Sequence, residues 1–223
     1  RSCINILEPS GQSTEFLEPG QPVHPEEFLA FKAKLVQLTK EAEVVTFNGS
    51  VPKGISAENY KELIEETMAA GVPCIVDASG ALLTSCIDAL PTMIKPNTDE
   101  IGQLLGREVT TEDEVIKAAQ ELHKRGIKIV VVSLGAKGAL MVSDEGTFRA
   151  NPPKIEAINP VGAGDTLVGS FAVALAQQKP TSECLTFALS CATASCLSAG
   201  TGRFDQAVAT EIQKQVAIKK IAE

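Results

Sequence analysis

The sequence predicts an α/β fold built on a mostly parallel sheet, and three observations carry that prediction. Apolar, β-branched runs alternate with stretches of helical period along most of the chain. The run from Ile127 to Ser133 is unbroken Ile and Val, which suits a strand covered on both faces. No linker, low-complexity tract or internal repeat interrupts the alternation, so 223 residues with 44% apolar content form one large domain with a small appendage.

That appendage opens the chain: Cys3 to Leu7 and Thr14 to Leu17 read as two short strands joined at Pro9-Ser10-Gly11, a hairpin spanning residues 1–20. Its residues Cys3, Asn5 and Leu7 alternate and are expected to form an apolar face that needs cover, either as a lid or as a homodimer contact. From Glu26 to Thr39, Phe28, Phe31, Leu35 and Leu38 fall at three- and four-residue spacings on one helical face. Strand residues 43–47 follow, then a helix near 57–70, a strand from Pro73 to Asp77, a strand at Thr92–Lys95 and an amphipathic helix near 112–124. Beyond Ser133, residues 139–142 and 147–149 flank Asp144-Glu145-Gly146 as an antiparallel hairpin, and helices are expected near 165–177, 181–198 and 205–219.

Composition excludes several functions. A formal charge of -8 repels a nucleic-acid backbone or an anionic membrane, so neither is an expected partner. The six cysteines lie scattered in apolar segments without C-x-x-C spacing, and His24 and His123 stand alone; no zinc site or disulfide framework is expected, and buried thiols are. No stretch reads as a membrane span or signal peptide, which gives a cytoplasmic expectation.

Four segments following strands carry the candidate chemistry. Asn159-Pro160-Val161-Gly162-Ala163-Gly164-Asp165-Thr166 runs into an apolar helix, so open backbone N–H groups and the helix dipole make an anion site, with Asp165 beside it as a base; a capped tight turn is the alternative. Lys95-Pro96-Asn97-Thr98-Asp99-Glu100 sits where open α/β sheets bind ligands, and Asn97 with Glu100 is also a capping-box pair. Ser133-Leu134-Gly135-Ala136-Lys137-Gly138 allows close backbone approach or is a plain turn, and Asn48-Gly49-Ser50-Val51-Pro52-Lys53-Gly54 follows its strand in the same way. Neither a dinucleotide fingerprint nor a P-loop occurs.

Together, N-G-S-V-P-K-G, K-P-N-x-x-E, S-L-G-A-K-G and N-P-V-G-A-G-D-T in this order resemble the ribokinase-like (PfkB) family of sugar kinases. The resemblance spans nearly the whole chain and is strongest to the sugar-phosphate branch, which acts on tagatose 6-phosphate or fructose 1-phosphate. It implies a three-layer fold with a β lid and an ATP- and Mg²⁺-dependent transfer to a ketohexose phosphate. Asp165 would be the base, and the amides of Gly162, Ala163 and Gly164 the anion hole. By the same resemblance Lys95, Ser133, Gly135, Ala136, Gly138 and Gly200 would line the nucleotide, Asn97 and Glu100 would serve Mg²⁺, and Ser50 and Arg1 would meet the sugar phosphate. The family's N-P-x-x-D and G-G-K-G-x-N segments do not occur, so residues 21–223 are expected to form the kinase domain without its N-terminal strands.

Overall fold

The structure, a computed structural model, describes residues 2–8 and 13–222. Arg1 and the turn at Pro9-Ser10-Gly11 therefore lie outside the described residues. In chain order the elements are β1 (Cys3–Leu7), β2 (Ser13–Leu17), α1 (Pro25–Thr39), β3 (Val45–Asn48), α2 (Ala57–Ala69), β4 (Cys74–Asp77), α3 (Gly80–Ile87), β5 (Met93–Ile94), α4 (Thr98–Leu105) and α5 (Glu112–Lys124). They continue as β6 (Ile129–Ser133), β7 (Ala139–Ser143), β8 (Gly146–Asn151), α6 (Ala163–Ala176), α7 (Thr181–Ser195), α8 (Gln206–Gln213) and β9 (Ala217–Ala222).

Strands β3 to β9 make one sheet in sequence order, parallel from β3 to β6 and antiparallel from β6 to β9. Period-two alternation divides its side chains between two cores. Cys74, Val76, Val130 and Val132 pack with helices α1–α5, whereas Ile75, Ile129 and Val131 pack with α6 and α7. Both faces are thus covered, which gives three layers and accounts for the uninterrupted apolar run of β6.

Local signals place the helix starts. Ser56, Asn97 and Thr111 each close a capping box at the head of α2, α4 and α5. Gly54 is fixed by packing, since at φ +93° a Cβ there would collide with the Val23 carbonyl of the incoming chain.

Four expectations are corrected. On α1 Phe28 is buried and Leu35 half-buried, but Phe31 and Leu38 are 56% and 50% exposed. The expected helix over 205–219 stops at Gln213, and Ala217–Ala222 instead pairs with β8, because the free edge of β8 offers backbone partners that local propensity cannot foresee. In the hairpin, Ile4 faces Phe16 and Ile6 faces Thr14, with Ile4, Ile6 and Phe16 exposed, and Leu17, opposite the exposed Cys3, is exposed as well, so apolar side chains are uncovered on both registers rather than on one face. Cys74, Cys86, Cys184 and Cys191 are buried as expected, Cys196 is half-buried, and Cys3 is exposed.

Candidate active site

The parallel strands end together, and their last residues bring the candidate groups to one edge of the sheet. β3 delivers Asn48, Gly49 and Ser50; β4 ends on Asp77; β5 leads into Lys95; β6 ends on Ser133. Cross-links hold the edge in register. The Gly49 amide donates to the Asp77 carbonyl at 2.8 Å, the Lys95 amide to Val76 at 3.1 Å, and the Ser133 amide to Pro96 at 3.0 Å.

Lys95 is buried, and its ammonium lies 3.1 Å from Asp77 Oδ1. Burial pushes the Asp77 carboxyl above its ordinary range; the Lys95 ammonium opposes that rise, while Glu100 and Asp165 add to it. Those four groups thus share one electrostatic neighbourhood. Asp77 carries no motif of its own, and sequence reasoning passed over it; the available signal was a carboxylate at the C-terminal end of a parallel strand.

Asn97 and Glu100 form the expected capping box: the Glu100 amide donates to Asn97 Oδ1 at 2.9 Å and the Asn97 amide to Glu100 Oε2 at 2.8 Å. Oε1 of Glu100 has no such bond among the described residues, so the cap and a ligating role coexist on one carboxylate. Among the described residues no cluster of three or more His, Cys, Asp or Glu is spaced to hold a metal. A single half-buried carboxylate beside open solvent does fit hydrated Mg²⁺, which keeps most of its waters and takes one or two carboxylates.

After Ser133 the chain makes a 3₁₀ turn, Gly135–Lys137, closed by Leu134 and Gly138. Gly135, Ala136 and Lys137 are exposed, and a cavity of about 340 Å³ runs between Ser133, Gly135 and Lys137 on one wall and Asn97, Asp99 and Thr111 on the other. Thr110 and Thr111 in that wall were not expected from sequence. Gly138 differs from its neighbours: it is buried at φ +96°, and a Cβ would strike the Ala150 carbonyl, so backbone conformation and packing together already require glycine here.

The loop before α6 is stapled to the end of α7. Ile158 donates its amide to Cys196 at 2.7 Å, and the Asn159 side chain spans from the Val161 amide at 3.0 Å to the Ala199 carbonyl at 3.1 Å. Gly162 sits at the N-cap with φ +83°, where a Cβ would lie 2.8 Å from Thr201 Cγ2, so the segment carrying Gly200 abuts this loop. The Ala163 amide donates to Pro160 at 3.2 Å, which departs from its expected place in an anion hole, whereas the amides of Gly162 and Gly164 find no partner among the described residues. Asp165 is exposed in the first turn of α6, with no side-chain hydrogen bond among the described residues. A Cβ on Gly164 would stand 3.7 Å from the Lys95 ammonium, so two free amides, a helix N-terminus, a lysine and a carboxylate converge on one spot. Such a spot can hold a migrating anionic group and deprotonate the group that receives it.

The cavity reaches this edge but does not contain Asp165, which stands on open surface. A model of the pfkB family carbohydrate kinases matches residues 1–207. The chain belongs to the pfkB family. It is accordingly a phosphotransferase of the carbohydrate-kinase class. A tagatose-6-phosphate kinase of Staphylococcus epidermidis is 34% identical over 99% of this chain and 72% of that enzyme. Phosphofructokinase-2 from Escherichia coli, solved in complex with potassium, superposes with a TM-score of 0.86 at 33% identity, over 92% of this chain and 67% of that one. The ribokinase of Arabidopsis thaliana, at 22% identity and TM-score 0.74 over 95% and 68% of the two chains, shares the ribokinase-like fold. Among the described residues no helix is long and apolar enough to cross a membrane.

Proposed function

We propose that the chain transfers the γ-phosphoryl group of ATP to a free hydroxyl of a ketohexose phosphate, tagatose 6-phosphate or fructose 1-phosphate. The observation that carries this reading is the convergence of the exposed Asp165 carboxylate with the unpartnered Gly162 and Gly164 amides and the Lys95 ammonium. The relatives named for sugar-phosphate substrates support the acceptor class.

In this mechanism Asp165 accepts the hydroxyl proton as the acceptor oxygen attacks. The Gly162 and Gly164 amides, the N-terminus of α6 and Lys95 stabilise the charge on the phosphoryl in transit. Ser133, Gly135, Ala136 and Gly200 line the path of the nucleotide. Asn97 and Glu100 would hold Mg²⁺, which neutralises polyphosphate charge when bound. Ser50, exposed beyond β3, and Arg1 meet the acceptor's own phosphate. The face of Ile4, Ile6 and Phe16, each more than half exposed, is the surface through which two copies associate.

Turnover with a panel of acceptors, each supplied with and without its phosphate, tests the substrate class. Tagatose 6-phosphate or fructose 1-phosphate should exceed every unphosphorylated sugar and nucleoside in kcat/KM; a preferred unphosphorylated acceptor overturns it. Ile6→Lys should shift the protein to monomer in light scattering, and an unchanged state counts against the hairpin contact.

A further inference from the structure

We propose that Asp77 is a positioning residue for phosphoryl transfer, holding the Lys95 ammonium against the Gly164 end of the anion site; this rests on the kinase reading given above. Lysine is a flexible chain tipped by a compact charge, so its ammonium serves as a fixed electrostatic group only if something holds it. Asp77 is placed to do so. Its Oδ1 lies 3.1 Å from Lys95 Nζ, and the two side chains are only 19% and 9% exposed. The same ammonium stands 3.7 Å from where a Cβ on Gly164 would project, so it faces the carboxylate on one side and the first turn of α6 on the other.

The main chain of Asp77 adds to this placement. Its carbonyl accepts the Gly49 amide at 2.8 Å, tying the Asn48-Gly49-Ser50 segment to the residue that holds the lysine. Asp77 therefore joins the acceptor side of the edge to the phosphoryl side. Without the carboxylate, a largely buried ammonium would lose its partner and swing toward solvent or toward Glu100 and Asp165, the other carboxylates that act on this spot. Because Lys95 meets charge that moves during transfer, its displacement should lower kcat more than it weakens ATP binding.

A double-mutant cycle on the full chain decides the matter, using Asp77→Asn, Lys95→Met, the pair together and Asp77→Glu. Asp77→Asn should lower kcat by about 10–100-fold, the scale of a misplaced catalytic group, and change KM for ATP by less than about threefold. Asp77→Glu should recover most of the loss. In the Lys95→Met background the Asp77 change should add less than about a factor of two, since residues acting as one unit are not additive. Losses that multiply in the double variant, or a kcat untouched by Asp77→Asn, overturn the assignment. Should Asp77→Asn fail to fold, the double variant, which buries no unpaired charge, still gives the comparison with Lys95→Met. A wild type that moves no phosphoryl group from ATP to either ketohexose phosphate sinks the kinase reading instead. The pairing is then judged by the side-chain ¹⁵N signal of Lys95: a slowly exchanging ammonium lost in Asp77→Asn upholds it, and a signal indifferent to the substitution refutes it.

Discussion

Two glycine-rich loops leave the same edge of the sheet, and they use glycine for different ends. In the loop after β6, Lys137 donates its amide to Leu134 at 3.2 Å and Gly138 to Gly135 at 3.0 Å, the Gly135 and Ala136 amides find no partner among the described residues, and the missing side chain of Gly138 makes room for the Ala150 carbonyl. In the loop before α6, the amides of Gly162 and Gly164 stay unpartnered, and Gly164 leaves space that faces a lysine. Each loop keeps two amides free, but Gly138 is required by packing, whereas Gly164 leaves open space beside a charged group. Glycine content alone does not separate the two; what a side chain would meet at each glycine does.

Substituting both loops in parallel should separate stability from turnover. Gly164→Ala should lower kcat by ~10²-fold, as a methyl group crowds the reacting phosphoryl. Its melting temperature should hold or rise, because alanine suits the first turn of α6 better than glycine and the added Cβ meets only the end of the Lys95 side chain. A Gly164→Ala enzyme of normal kcat would return this loop to the same structural role as the other.

Gly138→Ala should do the reverse. Its positive φ costs ~1–3 kcal/mol and the collision with Ala150 a further ~1–3 kcal/mol. At about 2–4 °C per kcal/mol for a chain of this size, the expected fall in Tm is roughly 4–24 °C, with the kcat of the folded fraction little changed. A stable Gly138→Ala protein that loses ATP affinity would show that this glycine touches the nucleotide after all.

The smallest effect expected is at the edge between the loops. Glu100→Gln keeps an oxygen for the Asn97 amide, so the capping box survives and the stability should change by under about 1 kcal/mol. The Mg²⁺ concentration for half-maximal rate should nevertheless rise several-fold, since one carboxylate charge is lost. Unchanged Mg²⁺ dependence leaves Glu100 a cap and nothing more.

How much of this was legible in the sequence varied with the range of the forces involved. Helix α5, Glu112–Lys124, and the buried strand β6 follow from local period and were read closely, as was the Asn97–Glu100 box. Helix α3 was missed because GALLTSCI is apolar nearly all round and shows no polar face to mark a helical period. Strand β9 depends on the free edge of β8, some seventy residues upstream, and Phe31 and Leu38 follow helical spacing yet remain uncovered. At the candidate site, the position of Asp165 and its glycines at the start of α6 was legible because a helix entrance imposes a motif. Asp77 was not, because its significance lies in the distance to Lys95, which only the packed sheet creates.

The central claim is that Asp165 takes the acceptor proton at an anion site made by the start of α6. The direct measurement is kcat of Asp165→Asn with tagatose 6-phosphate and fructose 1-phosphate, taken alongside ATP affinity by calorimetry. The amide keeps the shape of the side chain but cannot accept the proton, so kcat should fall by ~10²–10⁴-fold while ATP binds nearly as before. A variant that keeps more than about a tenth of wild-type kcat, outside the range for loss of a general base, would contradict the account.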